Sequence, residues 1–269
     1  MTPKYCYWSV ATGSYAVWME RCAASARAVG VNKEFHVMAD RAIAGCECYD
    51  AMEVDLQDGM AKLVYLKAAI SKLHFDHYVW IDADTIFTGN PDPLLSTLGR
   101  GPIHVPLGER VDSLRESAAL RGLSPARYLE LMRKAGVYNH IHASRSAFWI
   151  VKRAAVDVVC ELAQHHYAVT KTCGEAPHSD AALGYAMQML CGDPQKHLTN
   201  RRPDLWWSDE TGDFAAPDPL TDGWDLRASS GGRRRPVPPA LVHLPARRRR
   251  EMSTFAVAGE ADTRTGLIV

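Results

Sequence analysis

Two carboxylates stand directly after a short apolar run in the first third of this chain. Residues Tyr78–Phe87 read Tyr-Val-Trp-Ile-Asp-Ala-Asp-Thr-Ile-Phe, which places Asp82 and Asp84 behind Val79–Ile81. Runs of this kind are typical of strands inside a parallel sheet, and open sheets bind ligands just beyond the carboxyl ends of their strands. Two hard oxygen ligands suit Mg²⁺ or Mn²⁺, ions that commonly hold phosphates. We therefore predict a metal and phosphate site here, with Asp84 as a direct ligand at an exposed strand end.

The segments that must position these carboxylates alternate between strand and helix. The predicted order is strand Tyr5–Ala11, helix Tyr15–Val29, strand Glu34–Ala39, an amphipathic helix from near Met60, and strand Tyr78–Ile81. Alternation of this kind indicates a parallel sheet with helices on its faces. We predict an α/β fold with a Rossmann-like, mostly parallel sheet flanked by helices.

After Ile86 the alternation becomes irregular. The predicted segments are a short strand at Ile103–Pro106, a polar helical stretch at Arg110–Lys134, a strand at Ser146–Val151 with a helix to about His166, and a helix at Asp180–Leu190. From Asn200 onward Pro, Gly and Asp are dense, so an irregular C-terminal segment is predicted.

Composition limits the class of protein. A chain of 269 residues with 47% hydrophobic residues is expected to form a single domain with a large core. The formal net charge is zero, so overall charge does not favour a nucleic-acid partner. The seven cysteines, an odd number, favour a reducing compartment. Because neither a signal peptide nor a transmembrane segment is predicted, we expect a cytoplasmic protein.

One strongly basic segment departs from this charge balance. Between Arg227 and Arg250 stand eight Arg and no acidic residue, including the runs Arg233–Arg235 and Arg247–Arg250. Like-charge blocks are commonly solvated segments, and they also form surfaces for phosphates or acidic partners. The residues alone leave both interpretations open.

Five segments, including the one that contains Asp82 and Asp84, occur along the chain in the same order as in a known enzyme family. They are Ala11-Thr12-x-x-Tyr15, Lys62 in Ala-Lys-Leu-Val-Tyr-Leu-Lys, Asp82-Ala83-Asp84 followed by Asn90-Pro91-Asp92-Pro93-Leu94, Ser179-Asp180-Ala181-Ala182-Leu183, and Val242-His243-Leu244-Pro245. In these segments the chain resembles nucleotide-sugar-dependent glycosyltransferases of the GT-A fold. The likeness is greatest to family 8, the group of glycogenin and of lipopolysaccharide galactosyltransferases.

The resemblance implies how a nucleotide-sugar donor is bound. Ala11, Thr12 and Tyr15 would contact the uracil of a UDP-sugar. Lys62, Asp82 and Ala83 would contact the remainder of the donor. In this interpretation residues 1–100 form the donor and metal half of a single GT-A domain, and residues 101–269 form the acceptor half with its Arg-rich segment.

The resemblance also implies a metal site and a catalytic centre. Asp82, Asp84 and His243 would hold Mn²⁺ or Mg²⁺, with one carboxylate reaching the ribose or a bound water. Asp180 would bind the donor sugar and, together with Lys62, act at the reacting bond. The family implies transfer with retention of the anomeric configuration.

The sequence leaves the acceptor and two other functions open. The chain departs from the family at several positions, such as Ala181 in place of Gln and Pro245 in place of Gly, and these departures leave the identity of the sugar and of the acceptor open. The acceptor could be a small molecule, a glycan or a carrier-bound group, and it would be anionic if the arginines face it. One other function is a haloacid-dehalogenase-like phosphatase, although Gly192-Asp193 lacks the second Asp that such enzymes use for Mg²⁺. The other is a catalytically inactive nucleotide-sugar-binding module, because a fold does not imply a function.

Overall fold

The computed structural model describes residues 4–50, 66–67, 73–95, 101–105, 107–110, 124–134, 136, 142–144, 147–171, 179–191, 206–208 and 240–243. The strands are β1 (Tyr5–Ala11), β2 (Phe35–Ala39), β3 (Glu47–Asp50), β4 (His77–Ile81), β5 (Thr85–Phe87), β6 (Ile103–His104), β7 (Leu107–Arg110), β8 (His142–Ser144), β9 (Phe148–Lys152), β10 (Trp206–Ser208) and β11 (Leu241–His243). The helices are α1 (Tyr15–Ala28), α2 (Asp92–Leu95), α3 (Pro125–Lys134), α4 (Val156–Lys171) and α5 (Ser179–Cys191), with a 3₁₀ turn at Arg153–Ala155 before α4.

A six-stranded sheet forms the centre of the described structure, in the strand order β3-β2-β1-β4-β9-β6. β1 pairs in parallel with β2 and with β4, and β2 pairs in parallel with β3. β9 runs antiparallel to both of its neighbours, β4 and β6. The mostly parallel sheet with flanking helices confirms the α/β class predicted from the sequence.

Both faces of this sheet are buried, which explains why its strands read as nearly continuous apolar runs. On one face, Trp8, Trp80 and Trp149 lie side by side across β1, β4 and β9 and pack in one cluster with residues of α4 and α5. On the other face, β1 and β4 pack Tyr7 and Ile81 in a second cluster with α1. α1 buries residues at spacings of three and four, as an amphipathic helix does: Ala16, Met19, Cys22 and Ala26.

Two smaller sheets join parts of the chain that are distant in sequence. β5 pairs antiparallel with β11, and β11 pairs in parallel with β10. β7 pairs antiparallel with β8. The first of these sheets brings residues 241–243 against the segment that follows Asp84.

The predicted strands and helices before residue 95 agree closely with the structure where it describes them, and Leu66 and Lys67 of the helix expected from near Met60 are helical. The predicted helix at 110–134 is partly wrong, because Arg110 ends strand β7 and α3 begins only at Pro125. The Ser124 hydroxyl accepts the Arg127 N–H at 3.2 Å, so a serine cap followed by proline sets this helix start.

The strands β3, β5, β7 and β8 were not predicted from the sequence. They are three or four residues long, and β7 and β8 stabilise each other across more than 30 intervening residues, which no local pattern records. The division near residue 100 stays a prediction, and most of the C-terminal segment lies outside the described residues. Within the described ranges, no helix combines the length and the apolar character needed to cross a membrane.

Candidate active site

The strand order creates a crevice at one place on the carboxyl edge of the sheet. The chain runs from β1 outward through β2 to β3, and it returns on the other side of β1 as β4. The chain therefore continues from β1 into one half of the sheet and from β4 into the other half. The gap between the neighbouring carboxyl ends of β1 and β4 is the switch point where open α/β sheets bind ligands. β1 ends at Ala11 and β4 at Ile81. Both segments implicated by the sequence, 11–15 and 82–84, begin at this crevice.

A buried side-chain hydrogen bond holds the two strand ends together. Backbone pairing between β1 and β4 reaches as far as Trp8 and Trp80. Beyond that point the Ser9 hydroxyl donates to the Ile81 carbonyl at 2.8 Å. This bond keeps the end of β1 at a defined separation from the residue that precedes Asp82.

Asp82 is held by hydrogen bonds on its backbone and on its side chain. Its N–H donates to the Ala147 carbonyl at 2.9 Å, and its carbonyl accepts the Thr85 N–H at 3.0 Å. Its carboxylate Oδ1 accepts the indole N–H of Trp80 at 2.8 Å. Asp82 is partly exposed, and an ionised carboxylate has about four lone-pair sites in all.

Asp84 occupies a different environment, because the turn closed by the Thr85 N–H separates the two carboxylates. In a continuing strand, residues two apart would share one face. Asp84 is only 4% exposed, so the exposed strand end predicted for it is wrong. The turn leads directly into the buried strand β5, which explains this burial. Burial chiefly raises the pKa of the Cys22 thiol on α1, and the Asp84 charge raises it further, so Asp84 lies within electrostatic reach of α1.

The residues expected to contact a nucleotide base lie on the other side of the crevice. Ala11 is fully buried, Thr12 is partly exposed, and Tyr15 is 41% exposed at the first position of α1. The Tyr15 N–H donates to the Thr12 carbonyl at 3.1 Å, and Gly13 between them has a φ of 56°, in the region that favours glycine. The structure thus brings these three residues to the same edge of the sheet as Asp82.

One acidic residue at this edge was not predicted. Asp40 directly follows β2, and its Oδ2 accepts the Gly13 N–H at 2.8 Å. This bond ties the end of β2 to the loop between β1 and α1. The available signal was an acidic residue immediately after a predicted strand, the same signal that identified Asp82.

The predicted third metal ligand, His243, belongs to a strand that pairs beside the two carboxylates. The antiparallel register of β11 and β5 sets His243 opposite Thr85, the residue after Asp84. Residues opposed in this way have Cα atoms about 4.5–5.5 Å apart. The backbone at 243 therefore reaches the Asp82–Thr85 turn, whereas the His243 side chain lies outside the part that the structure describes.

The remaining predicted site residues are placed only in part. Asp180 is the second residue of α5, and its side chain is outside the described part. α5 buries Ala182 and Leu183 in the cluster that contains Trp80. Lys62 lies outside the described residues, and so do the eight arginines between 227 and 250.

The donor atoms at the crevice are chemically suited to a hard divalent cation. Asp82 and Asp84 supply carboxylate oxygens, the ligands that Mg²⁺ and Mn²⁺ prefer. Among the described side chains, no group of three or more His, Cys, Asp or Glu is arranged to hold a metal ion.

Comparison with known proteins adds evidence on the fold. No model of a known protein family matches the sequence, and no curated protein matches it. Among solved structures, the chain is similar to galactosyltransferase LgtC in complex with donor and acceptor sugar analogues, with a TM-score of 0.54 and 14% identity over 89% of this chain and 87% of that one. The chain has a GT-A-type glycosyltransferase fold. At this identity the likeness concerns the fold, and the roles of individual residues depend on the geometry given above.

Proposed function

We propose that this protein is a metal-dependent glycosyltransferase that moves a sugar from a nucleoside diphosphate donor, a UDP-sugar, to an acceptor. The observation that carries the proposal is the convergence at one switch point of the 11–15 segment, the two carboxylates and the backbone of His243. This convergence occurs in a chain with a glycosyltransferase fold. The fold likeness favours this function over the phosphatase considered from the sequence.

The loop between β1 and α1 would bind the uracil. Tyr15 has exposed ring surface at the start of α1, and aromatic rings stack on flat apolar faces such as those of bases. The bond from Gly13 to Asp40 restrains this loop before the donor arrives, which lowers the entropy lost on binding. Ala11 and Thr12 would contribute backbone contacts to the same base.

The carboxylate side would bind the diphosphate. Asp82, Asp84 and His243 would hold Mn²⁺ or Mg²⁺, which supplies charge neutralisation to the diphosphate that leaves with the bonding electrons of the broken C–O bond. Ala83 lies between the carboxylates with a small, buried side chain, which would let the backbone approach the donor. Lys62 would add a charge-assisted hydrogen bond to the phosphates.

Asp180 would orient the transferred sugar by accepting hydrogen bonds from its hydroxyl groups. Its position in the first turn of α5 is supported by the packing of that helix on the tryptophan face of the sheet. We propose transfer with retention of configuration. For the acceptor we propose an anionic or carrier-bound group, on the basis of the uncompensated arginines between 227 and 250.

The proposal is tested by measuring the melting temperature with a panel of nucleotide-sugars, each with Mn²⁺ and with EDTA. A ligand that binds only the folded state at 100 times its Kd adds about 2.7 kcal/mol, a shift of roughly 5–11 °C for a domain of this size. We expect such a shift with UDP-sugars and Mn²⁺, followed by UDP release when acceptors are added.

Two isosteric variants provide a matched test and control. Asp84→Asn should remove the Mn²⁺-dependent part of the shift. Asp76→Asn changes a carboxylate at the opposite end of β4, where Asp76 accepts the Lys4 N–H at 2.9 Å, and should retain that part. Metal-dependent nucleotide-sugar binding, without release of UDP when any of the acceptors is added, would instead establish an inactive binding module. Hydrolysis of phosphate monoesters without nucleotide-sugar binding would establish the phosphatase.

A further inference from the structure

Three buried tryptophans form a row directly beneath the candidate site. The strand registers oppose Trp8 to Trp80 and Trp80 to Trp149, so the three side chains share one face of the sheet. Each is at most 2% exposed. The rings of Trp80 and Trp149 stack, with centroids 5.7 Å apart and planes 13° from parallel. Close packing of this kind leaves the Trp80 ring little freedom to move.

The three indole N–H groups have different surroundings. Within the described structure, those of Trp8 and Trp149 are buried without a hydrogen-bond partner. The Trp80 N–H donates to Asp82 Oδ1 at 2.8 Å. A hydrogen bond to an ionised acceptor is about twice as strong as one between neutral groups. The middle tryptophan of the row is thus the one that contacts the candidate metal ligand.

This bond acts on the side chain of Asp82, whereas its other contacts described above act on the backbone. The bonds to Ala147 and from Thr85 hold the backbone of Asp82. The Trp80 N–H occupies one lone pair of Oδ1 from the core side. The bond therefore limits the rotation of the Asp82 carboxylate relative to the tryptophan row.

We propose that Trp80 is a positioning residue of the donor site, whose indole N–H orients the Asp82 carboxylate for the metal and the nucleotide diphosphate. This inference rests on the proposed function, because it assigns Asp82 to the cation. Partners that orient a metal-binding side chain typically change metal affinity by about 10–100-fold when they are removed. The effect of losing the Trp80 N–H should appear in metal binding itself, before any turnover.

The test compares Trp80→Phe with Trp149→Phe. Both changes remove an indole from the same stacked pair, and only the first removes the hydrogen bond to Asp82. Isothermal calorimetry would measure Mn²⁺ affinity in the presence of UDP, and UDP affinity in EDTA. Trp80→Phe should weaken Mn²⁺ binding by about 10-fold or more, while Trp149→Phe should stay close to the unmodified protein. UDP affinity in EDTA should be similar for both variants.

A second replacement separates the N–H from ring size. Benzothienylalanine at position 80, introduced by amber suppression, keeps a bicyclic ring of nearly the same shape and replaces the N–H with sulfur. It should weaken Mn²⁺ binding as Trp80→Phe does, and it decides the question if Trp80→Phe fails to fold. In an Asp82→Asn background the same replacement should have little further effect, because the acceptor charge is already gone.

Two different failures can be told apart. If the unmodified protein shows no Mn²⁺-dependent UDP binding, the proposed function is overturned, and the inference about Trp80 with it. If the unmodified protein binds Mn²⁺ and UDP together and the benzothienylalanine protein binds them equally well, the proposed function stands and the positioning role of Trp80 is wrong.

Discussion

At the scale of single residues, Asp82 and Asp84 show how two carboxylates of one motif come to differ. Asp82 is partly exposed and accepts the Trp80 indole N–H, whereas Asp84 is 4% exposed and lies within electrostatic reach of α1. The turn between Asp82 and Thr85 produces this difference, because it interrupts the strand geometry that would place both side chains on one face. The two carboxylates therefore differ in their exposure and in the groups that surround them.

His243 carries the residue-scale prediction. If its side chain completes the metal site, His243→Ala should lower Mn²⁺ affinity by about 10-fold or more and lower transfer activity in parallel, since a direct ligand is lost. UDP affinity in EDTA should not change. Calorimetry and UDP-release assays measure these quantities.

His77→Gln is a suitable control for that prediction, because it replaces a histidine at the opposite end of β4. It should leave Mn²⁺ affinity in place. Unchanged Mn²⁺ affinity in His243→Ala would mean that the third protein ligand comes from another segment.

At the scale of secondary structure elements, a buried polar contact joins three helices. The Tyr128 hydroxyl of α3 and Nε2 of His166 in α4 share a 3.0 Å hydrogen bond, and both residues are 1% exposed. The Tyr185 ring of α5 lies 5.4 Å from the His166 ring. Burial, assisted by the charge of His165, lowers the pKa of His166 to about 3. In the folded protein His166 is therefore neutral at neutral pH.

This contact predicts an acid-sensitive stability. In the unfolded chain His166 takes up a proton as the pH falls below its ordinary pKa of about 6.5, whereas in the folded protein its pKa is lowered to about 3. Because the unfolded state binds the extra proton in this window, stability should fall as the pH decreases through it, by roughly 2 kcal/mol between pH 7 and pH 5. Urea unfolding at the two pH values measures the difference.

The matched variants are His166→Gln and His165→Gln. The first keeps a hydrogen-bond acceptor for Tyr128 but cannot take up a proton, so its loss of stability at pH 5 should be smaller by about the same 2 kcal/mol. The second variant retains His166 and should still lose most of this stability at pH 5, since burial is the main cause of the lowered pKa of His166. Equal losses in all three proteins would contradict the assignment to His166.

At the scale of the whole molecule, a neutral chain carries its positive charge unevenly. The formal net charge is zero, yet the segment from Arg227 to Arg250 holds eight arginines and no acidic residue, and the strand of His243 lies among them. β11 itself pairs beside the Asp82–Thr85 turn of the candidate site. Long-range attraction of an anionic acceptor would act mainly on the rate of encounter.

Replacement of Arg247–Arg250 by Gln should therefore raise the KM for the acceptor and leave that for the donor nearly unchanged. Added salt should have the same effect on the unmodified protein, because exposed charges are screened over about 10 Å at 0.1 M salt. Steady-state kinetics at two salt concentrations measures both effects. Replacement by Lys, which keeps the charge, should restore most of the acceptor affinity. Equal losses for donor and acceptor would mean that these arginines hold the diphosphate.

The sequence by itself determined the alternation of strands and helices before residue 95 and the location of the strand-end carboxylates. Tyr5–Ala11 and Val79–Ile81 carry local apolar patterns strong enough to predict buried strands. The Ser124-Pro125 pair also marks the start of α3, although the predicted helix began at Arg110. Signals of this kind are local, because hydrophobic periodicity and helix caps depend on neighbours within a few residues.

Only the tertiary structure decided which residues contact each other at the crevice. Three contacts depend on strand order, on register and on the turn after β4. They are the pairing of His243 with Thr85, the bond from Gly13 to Asp40 and the bond from Trp80 to Asp82. The burial of Asp84 also follows from that turn, and the sequence pattern predicted the reverse. These features arise when separate segments pack together, because register and turn geometry are selected by burial over the whole chain and leave no trace in any one segment.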